Sequence, residues 1–253
     1  MKLFVSDFDG TLHIDGEVDQ ETLSAIKQFK EQGNLFGIAT GRSLNSIKHQ
    51  VNEYKIPVDF IIGNNGSIGI DENEDFIFHH MMDFKRVKEI IKRLPKEGLM
   101  YYGVSDGIDV GLHDRLNTRS HEDVTFKDID SLMDNEKAVG IFVKFENEEQ
   151  AKKFALLLNE VYYGEIRAYH FYQYVDILNY GVTKKSGIIQ YKRAKQIQAE
   201  TFVIGDSFND IPMIKGFDGF AICSGNQEVL DRARICFDNV GKALKYVMDE
   251  NNS

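Results

Sequence analysis

Four short stretches carry the residue types that phosphate chemistry asks for. The first is Leu3-Phe4-Val5-Ser6-Asp7-Phe8-Asp9-Gly10-Thr11-Leu12, where an apolar run stops at two aspartates. The others are Thr40-Gly41-Arg42, Lys184, and Gly205-Asp206-Ser207-Phe208-Asn209-Asp210. Hydrolysing a phosphate ester needs a nucleophile, neutralisation of charge, and a proton for the leaving oxygen. Carboxylates, a hydroxyl and an ammonium group are compatible with those jobs. Spacing alone does not assign them. An Asp-rich turn is most often solvated surface, but these acids end an apolar N-terminal strand.

The elements around these stretches explain how they could meet. Leu3–Val5 suits a strand buried on both faces, as in a parallel sheet. Leu23, Ile26 and Phe29 recur at helical spacing between Asp19 and Gln32, and Gly33 suits a helix end. Leu35–Ala39 is a second apolar strand; helix 43–53 and strand Phe60–Gly63 repeat the grammar of an α/β fold with a parallel sheet. Ligands gather at the carboxyl ends of such strands. Asp7, Thr40-Gly41-Arg42 and Asn64-Asn65-Gly66 all fall there. Between about Ile70 and Ile177 the chain becomes strand-rich α+β, with strands expected at 76–79, 99–103, 108–112, 138–145, 164–170 and 175–178, and helices at 84–94 and 148–161. Alternation then resumes. The pattern predicts a Rossmann-like core of residues 1–81 and 179–253 with an inserted α+β cap over 82–178.

The chain has 253 residues, 42% hydrophobic and 28% charged, with a formal net charge of −10. That balance argues against a nucleic-acid partner. No apolar run approaches the ~20 residues of a membrane span. Asp7 and Asp9 interrupt the apolar stretch that a secretory leader would need. Cys223 and Cys236 suggest neither a disulfide framework nor a metal knuckle, and both are read as small core residues in a reducing cytoplasm.

In this order the four stations resemble the motifs of the haloacid dehalogenase superfamily. Thr-Gly-Arg and Gly-Asp-x-x-Asn-Asp are similar to its Cof-type branch (class IIB), whose C2-type cap lies between the second and third stations. Asn65-Gly66 and Gly181-Val182-Thr183-Lys184 match further turns of that branch, so the resemblance spans the whole chain. It implies Asp7 as the nucleophile that forms an aspartyl-phosphate, and Asp9 as general acid and then base. It implies Thr40 and Lys184 as the phosphate cradle, and Asp7, the carbonyl of Asp9 and Asp206 as metal ligands, with Asp210 behind them or among them. Phe8, Gly41, Asn209, Asn65 and Arg42 complete the expected phosphate and substrate contacts. Lys185 stands where the branch usually has Gly.

With the acids gathered as the resemblance implies, electrostatics asks for the metal. Asp7, Asp206 and Asp210 around a phosphate dianion would each repel a close neighbour by on the order of 4 kcal/mol at an effective dielectric near 20. Carboxylates, a backbone carbonyl, waters and a phosphate suit Mg²⁺ better than Ca²⁺, zinc or iron. The expected activity is therefore Mg²⁺-dependent hydrolysis of a small phosphate ester, a sugar phosphate by analogy with the branch, with the cap supplying specificity. A sugar phosphomutase or a catalytically silent phosphate-binding protein would carry the same acids. Tyr101, Tyr102, Asp106, Arg115, Asn117 and Arg119 are the cap residues able to reach a sugar or carboxylate.

Overall fold

The computed structural model describes residues 1–114 and 126–249. In chain order the elements are β1 (Lys2–Ser6), α1 (Gln20–Glu31), β2 (Leu35–Ala39), α2 (Leu44–Tyr54), β3 (Phe60–Gly63), β4 (Ile68–Asp71), β5 (Phe76–His79), α3 (Phe84–Lys92), β6 (Leu99–Ser105) and β7 (Val110–His113). There follow β8 (Lys127–Asp128), α4 (Ile129–Asp134), β9 (Gly140–Phe145), α5 (Glu148–Val161), β10 (Ile166–Phe171) and β11 (Tyr174–Asn179). The last are α6 (Lys184–Ala194), β12 (Glu200–Gly205), α7 (Ile211–Phe217), β13 (Phe220–Ile222), α8 (Gln227–Leu230), β14 (Cys236–Phe237) and α9 (Val240–Asp249). Two compact units result: Met1–Gly41, Lys48–Phe78 and Thr183–Ser253 form the first, Arg42–Ile47 and His79–Val182 the second.

The first unit is built on a sheet of order β14-β13-β12-β1-β2-β3-β4-β5. From β14 to β3 neighbouring strands are parallel, and β4 joins antiparallel to β3. β1 is buried along its whole length, as its position in the middle of the sheet requires. Phe4 stacks on Phe36 with ring centroids 6.1 Å apart and meets Phe29 of α1 edge-on, so one face is filled by aromatic rings. On the other face Leu3 and Val5 join Ile62, Val203, Ile188, Tyr191 and Met213.

Because Ser6 aligns with Ile204 on one side and Ile38 on the other, β12, β1 and β2 end together. That register delivers Asp206, Asp7 and Thr40 to one sheet edge. β4 had no counterpart in the sequence reading, since Ser67-Ile68-Gly69-Ile70 is too short to show a period.

The second unit carries a sheet of order β10-β11-β9-β6-β7-β8, antiparallel except for β7 with β8. Val87 and Ile90 of α3, Leu132 of α4, and Phe154 and Leu158 of α5 pack with Val104, Val143, Phe145, Val175 and Ile177 of the strands. The fold is thus an α/β core with a second, strand-rich unit between its two halves.

The cysteines differ from expectation. Cys223 and Cys236 are exposed and form a disulfide with Cα atoms 5.0 Å apart. β13 and β14 are parallel neighbours in which Ile222 faces Phe237, and this pairing sets the residue after β13 beside the first residue of β14. A separation of 13 residues concealed the pairing, because it depends on strand order.

Gly66 tests how tightly this unit is assembled. It has φ of 104°, and a Cβ there would lie 2.1 Å from the carbonyl oxygen of Thr183. Gly33 has φ of 78° with open space around it. Gly33→Ala should therefore cost only the left-handed backbone penalty, roughly 1–2 kcal/mol. Gly66→Ala should add a steric cost of about 1–3 kcal/mol. Equal losses in urea unfolding would show that the Gly66 contact relaxes freely.

Candidate active site

Asp7 directly follows β1, and its backbone N–H still donates to Ile204 O at 3.0 Å. Its side chain is buried, at 6% exposure. Lys184 opens α6, whose first turn is fixed by a reciprocal cap: Thr183 N donates to Ser186 Oγ, and Ser186 N donates to Thr183 Oγ1. The Lys184 ammonium is fully buried and donates to Asp7 Oδ1 at 2.6 Å and to Asp210 Oδ1 at 2.7 Å. Two of its three N–H donors are thereby used.

Asp210 is held by a turn of its own. Its Oδ2 accepts from Asp206 N at 3.1 Å and Ser207 N at 3.0 Å. Both its oxygens are engaged, one with Lys184 and one with the backbone that carries Asp206. Gly205 leaves room for this, since a Cβ there would sit 2.4 Å from Asp210 Cγ. Asp206 is half-buried and accepts from Thr11 Oγ1 at 2.6 Å. The bond from Thr11 to a carboxylate 195 positions away appears only when β1 and β12 are paired. The segment after β13 also matters, because Asn226 N donates to Asp206 O at 2.9 Å.

One oxygen each from Asp7, Asp206 and Asp210 lie within 4.8 Å of one another, a group able to hold a metal ion. Three carboxylates face one ammonium there, and their electrostatics follow. Burial pushes the Asp7 carboxyl well above the usual range; Asp210 and Asp206 push it further, and Lys184 opposes them. Asp206 is also raised, chiefly by burial, with Asp210 adding to it against the Thr11 hydrogen bond and Lys184. Burial alone would lower the Lys184 ammonium, but attraction to Asp210 and Asp7 outweighs it, so Lys184 holds its proton more firmly than an ordinary lysine. The imbalance is what a divalent cation would relieve, so the donor set fits one.

Thr40 is fully buried at the end of β2 and donates its N–H to Ile62 O at 2.8 Å. Its carbonyl accepts from Asn65 N at 2.9 Å, and Asn65 Oδ1 accepts from Asn209 Nδ2 at 2.9 Å. Gly41 lies beside them, with the position of a Cβ 3.3 Å from Asn65 Oδ1. Thr40, Gly41, Asn65 and Asn209 therefore form one connected rim. Asn65 has φ of 54°, which its short polar side chain tolerates. α2 begins at Leu44, so Thr40 and Gly41 precede that helix and do not open it.

Phe8 has a fully buried ring, and Asp9 is exposed on the turn that follows. Arg42 falls in the second unit, where its Nη1 donates to Ser46 Oγ at 3.3 Å. Lys185 lays its stem on Gly216, where a Cβ would approach Lys185 Cε to 2.5 Å.

In the second unit Asp106 spends Oδ1 on the N–H groups of Ile108 and Asp109, closing a turn. Tyr101 is buried, and Tyr102 packs on His113 at 5.0 Å. Arg115, Asn117 and Arg119 lie outside the described residues.

A largely parallel, Rossmann-like sheet whose strand ends bring a carboxylate cluster against a buried lysine is the architecture of a hydrolase with phosphatase-type chemistry. The chain belongs to the haloacid dehalogenase-like hydrolase family, whose model matches residues 4–243. A relative described only as an uncharacterized protein of Mycoplasma capricolum is 23% identical over 97% of this chain and 99% of its own length. A HAD/COF-like hydrolase structure from Plasmodium vivax superposes with a TM-score of 0.84 at 20% identity, covering 98% of this chain and 96% of that one. A subclass IIB sugar phosphatase of the superfamily gives a TM-score of 0.78 at 20% identity, covering 98% and 99%. At such identities the likeness is one of fold.

The raised Asp7 carboxyl has a stability consequence. In metal-free protein the folded state holds the Asp7 proton above the unfolded value near ~4. Folded stability then falls as pH rises from there toward the folded value, because the native state binds more protons over that window. Asp7→Asn cannot ionise, so in EDTA its melting temperature should vary less with pH and be no lower than wild type at neutral pH. A variant that melts well below wild type would show that Asp7 is a net stabiliser.

Proposed function

We propose that this chain is a Mg²⁺-dependent phosphatase of the Cof-type, class IIB branch, acting on a small phosphorylated metabolite such as a sugar phosphate. The observation that carries the reading is the fully buried Lys184 ammonium bonded at once to Asp7 and Asp210, beside Asp206. Residues 82–178 are taken as the cap inserted into a core of 1–81 and 179–253. The enzyme is placed in the cytoplasm, where its exposed Cys223–Cys236 pair would be open to reduction.

In this mechanism an Asp7 carboxylate oxygen attacks phosphorus, the bond to the leaving oxygen breaks, and Asp9 gives that oxygen its proton. Water then attacks the aspartyl-phosphate, Asp9 takes the water proton, and Asp7 and inorganic phosphate are released. Lys184 keeps Asp7 aligned through one N–H and has a third for a phosphoryl oxygen. Thr40, the Gly41 and Phe8 backbone and Asn209 line the phosphate, with Asn65 holding Asn209 in place. Asp7, the Asp9 carbonyl and Asp206 would hold Mg²⁺, while Asp210 fixes Lys184 and the Asp206 backbone. Bound there, Mg²⁺ would offset carboxylate charge and polarise the phosphoryl oxygens.

The test is hydrolysis of p-nitrophenyl phosphate, followed by a screen of phosphorylated metabolites reported as kcat/KM. Activity should require Mg²⁺, vanish in EDTA, and fall about 10³-fold or more in Asp7→Asn. Acid quenching during turnover should trap phosphate on wild type and not on that variant. Full activity in Asp7→Asn ends the proposal.

A further inference from the structure

The turn that carries Asp9 is closed on itself. Phe8 O accepts from the N–H groups of Thr11, Leu12 and His13 at 3.2, 2.9 and 2.8 Å, and Gly10 N returns to His13 O at 2.9 Å. Just beyond it, Ile14 and Glu17 exchange both backbone bonds at 3.0 and 3.1 Å. Asp15 and Gly16 between them have φ of 53° and 86°, the Asp-Gly pattern of a two-residue hairpin. Local bonds define the shape of this segment and leave open where it sits.

Two side chains that the sequence reading passed over fasten it. Tyr54, the last residue of α2, donates its hydroxyl to Gly16 O at 2.9 Å and lies 3.2 Å from His13 Nε2. A phenol has one proton, here given to Gly16, so His13 Nε2 must be the donor to the Tyr54 oxygen. The His13 ring lies flat on Phe8, with centroids 5.2 Å apart and planes 12° apart. Phe8 is fully buried and stands between Asp7 and Asp9 in sequence. Asp9 in turn pairs through its backbone with His13.

We propose that Tyr54 and His13 are positioning residues for proton transfer by Asp9. Through the hairpin and the Phe8 ring they hold the exposed Asp9 at the place where the leaving oxygen departs. Neither side chain is itself part of the phosphate cradle or the carboxylate cluster; His13 reaches them only through the Phe8 ring and the Asp9 backbone. This inference rests on the role given to Asp9 above.

The experiment measures kcat/KM for aryl phosphates ranging from p-nitrophenyl phosphate, whose leaving group needs little protonation, to phenyl phosphate, whose leaving group needs it. Tyr54→Phe should lose roughly tenfold on phenyl phosphate and less than about twofold on p-nitrophenyl phosphate, part of the effect of a general acid. His13→Ala should show the same pattern, and the double variant should be no worse than the poorer single one, as expected for residues acting as a unit. Equal losses on every ester, an additive double variant, or an unchanged rate on phenyl phosphate overturns the inference while leaving the phosphatase reading intact. A wild-type chain that hydrolyses no aryl phosphate overturns both.

Discussion

The site depends on one buried ammonium group. Lys184 is fully buried and is stable there because Asp7 and Asp210 accept its hydrogen bonds. Removing the sole partner of a buried charge typically costs about 3–5 kcal/mol, because the other charge is left uncompensated. Asp210 gives Lys184 a second partner, so Asp7 need not be committed to structure alone. In the proposed mechanism its carboxylate changes covalent state while the lysine remains paired with Asp210. A nucleophile that served as the only counter-ion of a buried lysine would unsettle its surroundings each time it reacted.

The rest of the first unit places these groups without long-range adjustment. β12, β1 and β2 end level, so groups roughly 200 positions apart in sequence need only short turns to meet. Each turn is fixed by its own chemistry: Thr183 with Ser186, Asp210 with the backbone of Asp206 and Ser207, and Phe8 O with three N–H groups. Those bonds offset the conformational entropy of ordering the loops before any substrate arrives. Preorganised donors and charges are the form in which a protein stabilises developing charge most effectively.

Much of this was legible because the apolar runs were unambiguous. Leu3–Val5, Leu35–Ala39 and Phe60–Gly63 stop at polar turns, and those turns share an edge for reasons of topology alone. The period of helix Glu148–Val161 was clear enough to give both its ends. What stayed hidden depended on which strands are neighbours. Thr11 reaching Asp206, Asn226 supporting Asp206 from behind, and Cys223 meeting Cys236 are all contacts across strands, with nothing local to announce them. His13 and Tyr54 were overlooked for a related reason: a histidine in a turn and a tyrosine at a helix end have ordinary local explanations.

The support of Asp206 reaches the margin of the sheet. Its backbone oxygen accepts from Asn226, four residues past the end of β13, and that segment begins at Cys223. β14 is only two residues long, a short strand of the kind that limits edge-to-edge pairing. Two backbone pairings hold it weakly. Phe237 compensates by packing edge-on to Phe220 at 5.2 Å and against Tyr246 of α9 at 5.4 Å. Asp7 and Lys184 are buried, whereas Asp206 is half-buried and is held by Thr11, by Asp210 and by the segment that follows β13. The two halves of the acidic cluster therefore differ in surroundings: Asp7 is enclosed by the core, and Asp206 takes part of its support from a segment beside the sheet edge.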